Sequence, residues 1–196
     1  MACPVALARL RVFMIRTTLR AISPTHILAV LTLVASVYAG GCDTNVRPLV
    51  FTSDRDDNLE IYSVSLDGEI GQNLTQSSSG EFHPTISPNG NHVAFLSGTT
   101  GGSALEVMRI DGTERRKLTE GKGITHSHAW SPDSNRIAYV LKSNKSTQVF
   151  VVNIDGSPPA QITDLSGYDV GGWSRDGKWV VFSVTEDAKQ GIYKRN

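Results

Sequence analysis

Cysteine is nearly absent: Cys3 and Cys42 are the two in 196 residues. Neither falls in the repeating part of the chain, so a disulfide framework and a paired-cysteine zinc site are excluded there. Excess charge is lacking as well, since 19 Lys and Arg balance 19 Asp and Glu. The first 42 residues hold Arg9, Arg11, Arg16 and Arg20 and no acidic residue, which leaves 15 basic against 19 acidic side chains in the remainder. A mildly acidic body without clustered Lys and Arg is a poor ligand for a phosphate backbone, and nucleic acid is set aside as main partner. Long apolar runs are missing: residues 27–39 form an uncharged stretch, shorter than the roughly 20 residues a spanning helix needs. No Gly-x-Ser-x-Gly elbow occurs, and Gly98, Gly101 and Gly102 sit in a hairpin loop with no helix after them, so neither hydrolase nor phosphate-loop chemistry is signalled. No cofactor and no catalytic residue is expected.

What is present begins with a leader. An arginine-bearing segment, the apolar run Ile27 to Ala39 and the small residues Gly40 and Gly41 follow the order of a signal peptide, with either Met1 or Met14 as its start. The residues before Cys42 resemble a bacterial lipobox, which implies cleavage and acylation of that cysteine. The expected organisation is a lipoprotein-type signal over 1–41, a short linker over 42–46 after lipidated Cys42, and repeats over 47–196. Several acyl chains on one residue would anchor it stably, at about 0.8 kcal/mol for each buried methylene. Asp43 resembles an inner-membrane retention signal, so the expected place is the cell envelope or periplasm, lipid-anchored.

The body repeats. Asp67-Gly68, Asp111-Gly112 and Asp155-Gly156 recur at one spacing, and so do Leu74-Thr75, Leu118-Thr119 and Ile162-Thr163. Ser87-Pro88-Asn89-Gly90, Ser131-Pro132-Asp133-Ser134 and Ser174-Arg175-Asp176-Gly177 form a third series. A common period of about 44 residues suits a four-stranded propeller blade. Helical repeats of that length are excluded by β-branched and aromatic runs broken by Gly, Pro and Asp.

Four strand stations are expected in each unit. The first approaches Ile86, Trp130 or Trp173. The second is apolar: Leu49-Val50-Phe51, Val93 to Leu96, Ile137 to Val140, and Val180 to Phe182. The third is Glu60 to Val64, Glu106 to Ile110, and Val149 to Ile154, and the fourth is short and carries the Leu-Thr pair. Adjacent apolar residues in the second station imply burial on both faces of a sheet packed between two others. Asn-Gly and Asp-Gly turns separate the first two stations because those residues tolerate positive φ.

These residues resemble the TolB-like, WD40-like propeller repeat, whose pattern runs Trp-Ser-Pro-Asp-Gly-Lys, Ile-Ala-Phe, Ile-Tyr, Asp-Gly, Leu-Thr. His128 to Asp133, Trp173 to Trp179 and Ser53 to Tyr62 carry it, while Ile86, Arg175 and Ser134 depart from it. The resemblance implies an all-β fold of four-stranded antiparallel blades. The stations number three, four, four and three, so the expectation is an incomplete propeller of about three and a half blades, an open arc. Such an arc leaves unpaired edges, which an oligomer or a partner chain would complete.

Two side-chain groups invite a functional reading. His126 and His128 alternate along a first station, and Asp169 occupies the position of His126 one repeat on. Imidazoles so placed can bind zinc or copper. The reading adopted is a polar binding face lining a central channel, with no metal. The run Asp54-Arg55-Asp56-Asp57-Asn58 offers oxygens for calcium but lacks the glycine and terminal glutamate of an EF-hand loop, and is read as a solvated turn. Function is expected to be non-enzymatic: a binding or scaffold module presenting a propeller surface to a protein, peptide or glycan of the envelope. The alternative is the propeller part of a peptidase, hydrolase or lyase whose catalytic domain lies elsewhere.

Overall fold

A computed structural model describes residues 48–65, 71–144, 146–164, 167–184 and 191–196. The expected leader, Cys42, Asp43, the linker and the Asp67-Gly68 turn lie outside these. The described residues form fourteen strands in chain order. They are β1 (Leu49–Ser53), β2 (Glu60–Val64), β3 (Gln72–Asn73), β4 (Glu81–Ile86), β5 (His92–Thr99), β6 (Gly102–Arg109) and β7 (Arg116–Lys117), followed by β8 (Ile124–Trp130), β9 (Arg136–Lys142), β10 (Thr147–Asn153), β11 (Ala160–Gln161), β12 (Gly167–Trp173), β13 (Val180–Val184) and β14 (Gly191–Arg195). They make four sheets ordered β1-β2-β3, β4-β5-β6-β7, β8-β9-β10-β11 and β12-β13-β14. Every named strand pairing is antiparallel. The fold is therefore an all-β, unclosed set of propeller blades with three, four, four and three strands, as the repeats imply.

Each middle strand is buried on both faces. From β5, Val93 and Phe95 pack with Ile61 and Leu74 of the first blade, while Ala94 and Leu96 pack with Ile137, Tyr139 and Val152 of the third. One blade further on, Ala138 and Val140 of β9 join Val170, Val180, Phe182 and Val184 of the fourth. Leu96 is fully buried, and burying a side chain of that size stabilises by about 2 kcal/mol. The core thus lies in the seams between blades.

The repeated motifs are hydrogen-bonding devices. In each Ser-x-Asx-x turn the serine hydroxyl donates to the Asx carboxyl or amide oxygen two residues on: 2.7 Å from Ser87 to Asn89, 2.5 Å from Ser131 to Asp133, and 2.5 Å from Ser174 to Asp176. The same hydroxyl accepts the N–H that opens the next strand region, from His92, Arg136 and Trp179. The fourth position needs positive φ, found at Gly90 (79°), Ser134 (62°) and Gly177 (68°). Ser134 accepts this strain where glycine would not, but its Oγ receives the Asn89 N–H of the preceding blade at 3.0 Å.

The Leu-Thr pair does not lie within the fourth strand but directly after it. The Leu74, Leu118 and Ile162 N–H groups donate to the carbonyls of Ile61, Leu105 and Val149. The Thr75, Thr119 and Thr163 hydroxyls then accept the N–H of those same three residues at 3.0, 2.9 and 3.1 Å. A side-chain oxygen so replaces the next ladder carbonyl, letting a two-residue strand end without an orphan N–H. This clasp makes Ile61, Leu105 and Val149 equivalent, so the third strand of the second blade starts at Gly102, ahead of Glu106. Gly98 and Gly102 also prove to be strand residues. A Cβ on Gly102 would lie 1.9 Å from the Gly123 carbonyl oxygen, which is why that bridge requires glycine.

Candidate functional site

The innermost strands β4, β8 and β12 all carry β-bulges. Register shifts fall between Phe82 and Thr85, between Thr125 and Ser127, and at two places in β12. Bulges bend a strand and re-aim its side chains, so these strands depart from strict alternation where the candidate residues lie. His126 is half-buried at the bulge of β8. Asp169 is exposed on β12. His83, at φ 53° in the bulge of β4, is exposed too.

His128 sits instead in the seam between blades. Its Nε2 lies 2.8 Å from the Thr85 hydroxyl of β4. Burial lowers its pKa to about 4, with the His83 ring pushing the same way and a hydrogen bond with the Ala94 backbone opposing. It is therefore neutral at pH 7 and joins two blades. Three further bonds repeat this stitching: the Ser127 hydroxyl accepts the Val170 N–H at 3.1 Å, and the Trp130 and Trp173 indoles donate to the Thr85 and Ala129 carbonyls at 3.1 and 3.0 Å. At Ile86, where tryptophan is missing, no inner strand precedes it among the described residues. Among those residues no three His, Cys, Asp or Glu side chains gather in a metal-binding cluster, and His126, His128 and Asp169 are not brought together as one.

The acidic turn 54–58 is occupied by its own contacts. The Asp57 N–H closes on the Asp54 carbonyl at 3.1 Å, and Asp56 accepts the Tyr62 hydroxyl. Arg55 lies over the Tyr62 ring at 4.2 Å. Asn58 Nδ2 donates to the Ser77 and Ser79 carbonyls at 2.8 and 2.9 Å.

A buried ionic group escaped the sequence reading. Arg115 Nε donates to Glu106 at 2.7 Å and Nη2 to Glu81 at 3.0 Å, with its guanidinium 5.2 Å from the Phe95 ring centre. The Glu81 side chain is wholly buried. Its Oε1 also accepts the hydroxyls of Ser77 (2.6 Å) and Ser97 (3.3 Å), while Oε2 has no partner. Burial raises the Glu81 pKa despite the bonds from Ser77 and Arg115. Glu60 completes the group, taking the Ser77 N–H at 2.9 Å and the Thr75 hydroxyl. A signal existed: Glu106 stands in the repeat position of Tyr62 and Phe150, where the other blades stack aromatics. Phe51 on Tyr62, Tyr139 on Phe150 and Phe182 on Tyr193 lie 5.9, 5.6 and 6.1 Å apart between ring centres.

A family model described as the TolB beta propeller domain matches residues 49–196. A protein named TolB homolog from Chlorobium luteolum is 39% identical over 62 residues, covering 32% of this chain and 14% of that protein. Among solved structures, putative TolB from Agrobacterium tumefaciens superposes with a TM-score of 0.60 at 20% identity, over 76% of this chain and 56% of that one. TolB from Acinetobacter baumannii gives 0.61 at 19% identity, over 85% and 43%. The chain thus spans about half of these structures, and at such identities the likeness speaks for the fold.

Proposed function

The chain belongs to the TolB beta propeller family, and from that membership we propose that it is a non-enzymatic binding module of the cell envelope. Its leader exports it, Cys42 carries the lipid, and Asp43 keeps it at the inner membrane. The partner is a protein or peptide, with glycan as the second ligand class, and no cofactor takes part.

The observation that carries this reading is the row of inner strands. Three successive bulged strands, bonded across blades by Thr85–His128 and Ser127–Val170, hold His83 and Asp169 exposed and His126 half-buried. A face presented by rigid, cross-linked strands is pre-organised, which lowers the entropic cost of binding.

Photo-crosslinking residues placed at His83 and Asp169, with Lys178 as control, test the face in cells of the source organism. A discrete adduct from the first two positions and none from Lys178 is expected; equal labelling from all three would overturn the assignment. For the anchor, acyl labelling must vanish in Cys42→Ser.

A further inference from the structure

The seam between the first and second blades is plugged, and the next seam is not. In the first, Arg115 from the second blade reaches over Phe95 to Glu81 and Glu106 and points a third nitrogen at the Thr75 carbonyl, 3.5 Å away. One period further along, Pro159 takes the place of Arg115, Phe150 that of Glu106, Thr125 that of Glu81 and Tyr139 that of Phe95. The guanidinium and both carboxylates are gone together. What remains is a cavity of about 590 Å³ lined by Leu118, Tyr139, Leu141, Phe150 and Pro159.

We propose that this cavity binds a small aromatic carboxylate, its ring lying against Tyr139 and Phe150 and its anionic end toward Lys117 and Lys122. The volume lies within the range of small-molecule sites, about 300–1,000 Å³. The floor is a stacked aromatic pair, 5.6 Å between centres, and the preceding seam shows a planar group taken up over the equivalent ring. That group is a cation because two glutamates face it. Here the glutamates are replaced by Thr125 and Phe150, while Asn73 and Ser78 of the preceding seam become Lys117 and Lys122. Both lysines line the cavity together with Glu120, so the local balance turns positive and an anion is favoured.

One polar group, the Tyr139 hydroxyl, supports a ligand in place of a packing defect. Tyr139 is 2% exposed, lines the cavity and has no hydrogen-bond partner among the described residues. The phenol therefore stands ready to donate to a ligand oxygen.

Isothermal titration of the full chain in detergent with 2-naphthoate, 2-naphthalenemethanol and 2-naphthylmethylamine tests the assignment. Saturable naphthoate binding is expected, with the neutral alcohol about tenfold weaker and the amine weaker still. Lys117→Gln with Lys122→Gln should cost naphthoate about tenfold and leave the alcohol unchanged. Both lysines are exposed, so this variant keeps the fold. Pro159→Trp, which places an uncharged ring in the space corresponding to Arg115, should weaken binding of all three. Absence of saturable naphthoate binding at millimolar concentration would overturn the proposal, as would indifference of naphthoate to the double lysine variant.

Discussion

Arg115 and Glu81, bonded at 3.0 Å, tie the two margins of one sheet together: Glu81 opens the innermost strand β4, and Arg115 immediately precedes the outermost strand β7. The contact runs past Phe95 in the middle of the sheet. It substitutes an ionic brace for the aromatic stack of the other blades, and the second blade depends on it accordingly.

Arg115→Met removes that brace and leaves Glu81 and Glu106 without their cation. Breaking a buried pair from one side costs about 3–5 kcal/mol. Since the Arg115 side chain is 29% exposed, a loss near about 3 kcal/mol is expected in urea denaturation. Adding Glu81→Gln should restore part of it, because the amide leaves no charge to strand.

Acid stability should show two opposed contributions. The neutral His128 imidazole, with pKa lowered from 6.5 to about 4, makes the unfolded chain the better proton acceptor between those values. Its stabilisation is full above 6.5 and is lost as pH falls toward about 4, by about 2–3 kcal/mol. Glu81 acts in the other direction. Its pKa is raised above 4.5, so its contribution is full below 4.5 and declines as pH rises through the raised value. His128→Gln should remove the rise in unfolding free energy between pH 4 and 6.5, and Glu81→Gln should steepen it. Unchanged profiles in both variants would refute this account.

Thr163→Val keeps the shape of the side chain but deprives the buried Val149 N–H of its acceptor. An unsatisfied buried donor costs about 1–3 kcal/mol. Amide exchange at Val149 should accelerate along with a lower denaturation midpoint, and Thr163→Ser should retain both.

Trp173→Phe deletes the bond to the Ala129 carbonyl and shrinks the ring face on which Arg136 lies, 4.8 Å from its centre. A loss of about 1–2 kcal/mol is expected from thermal melts. Ile86→Trp should bring no matching gain, since the described residues offer its indole no carbonyl of a preceding inner strand.

The legible parts of the fold are those whose cause is local. Ser131-Pro132-Asp133-Ser134 and Asp155-Gly156 build their turns from bonds within five residues, so their recurrence reveals both the period and the strand limits. The alternation-free run Ile137 to Val140 likewise announces a strand covered on both faces. The third strand of the second blade was harder to place, because its start depends on Thr119 reaching Leu105 across the sheet and on the close approach of Gly102 and Gly123. For the candidate site, the sequence marks His126, His128 and Asp169 as polar residues of inner strands. It does not reveal the bulges that redirect them, nor that Thr85 draws His128 into a seam.

By itself, then, the sequence determined an all-β chain of propeller repeats near 44 residues, strands counted three, four, four and three, and turns of known chemistry. Periodicity and turn bonding are short-range, and each copy confirms the others. Only the tertiary structure decided what fills each seam. Arg115 over Phe95 and the cavity beside Tyr139 arise from residues that differ between repeats, and their partners are chosen by packing between blades, which spacing along the chain does not encode.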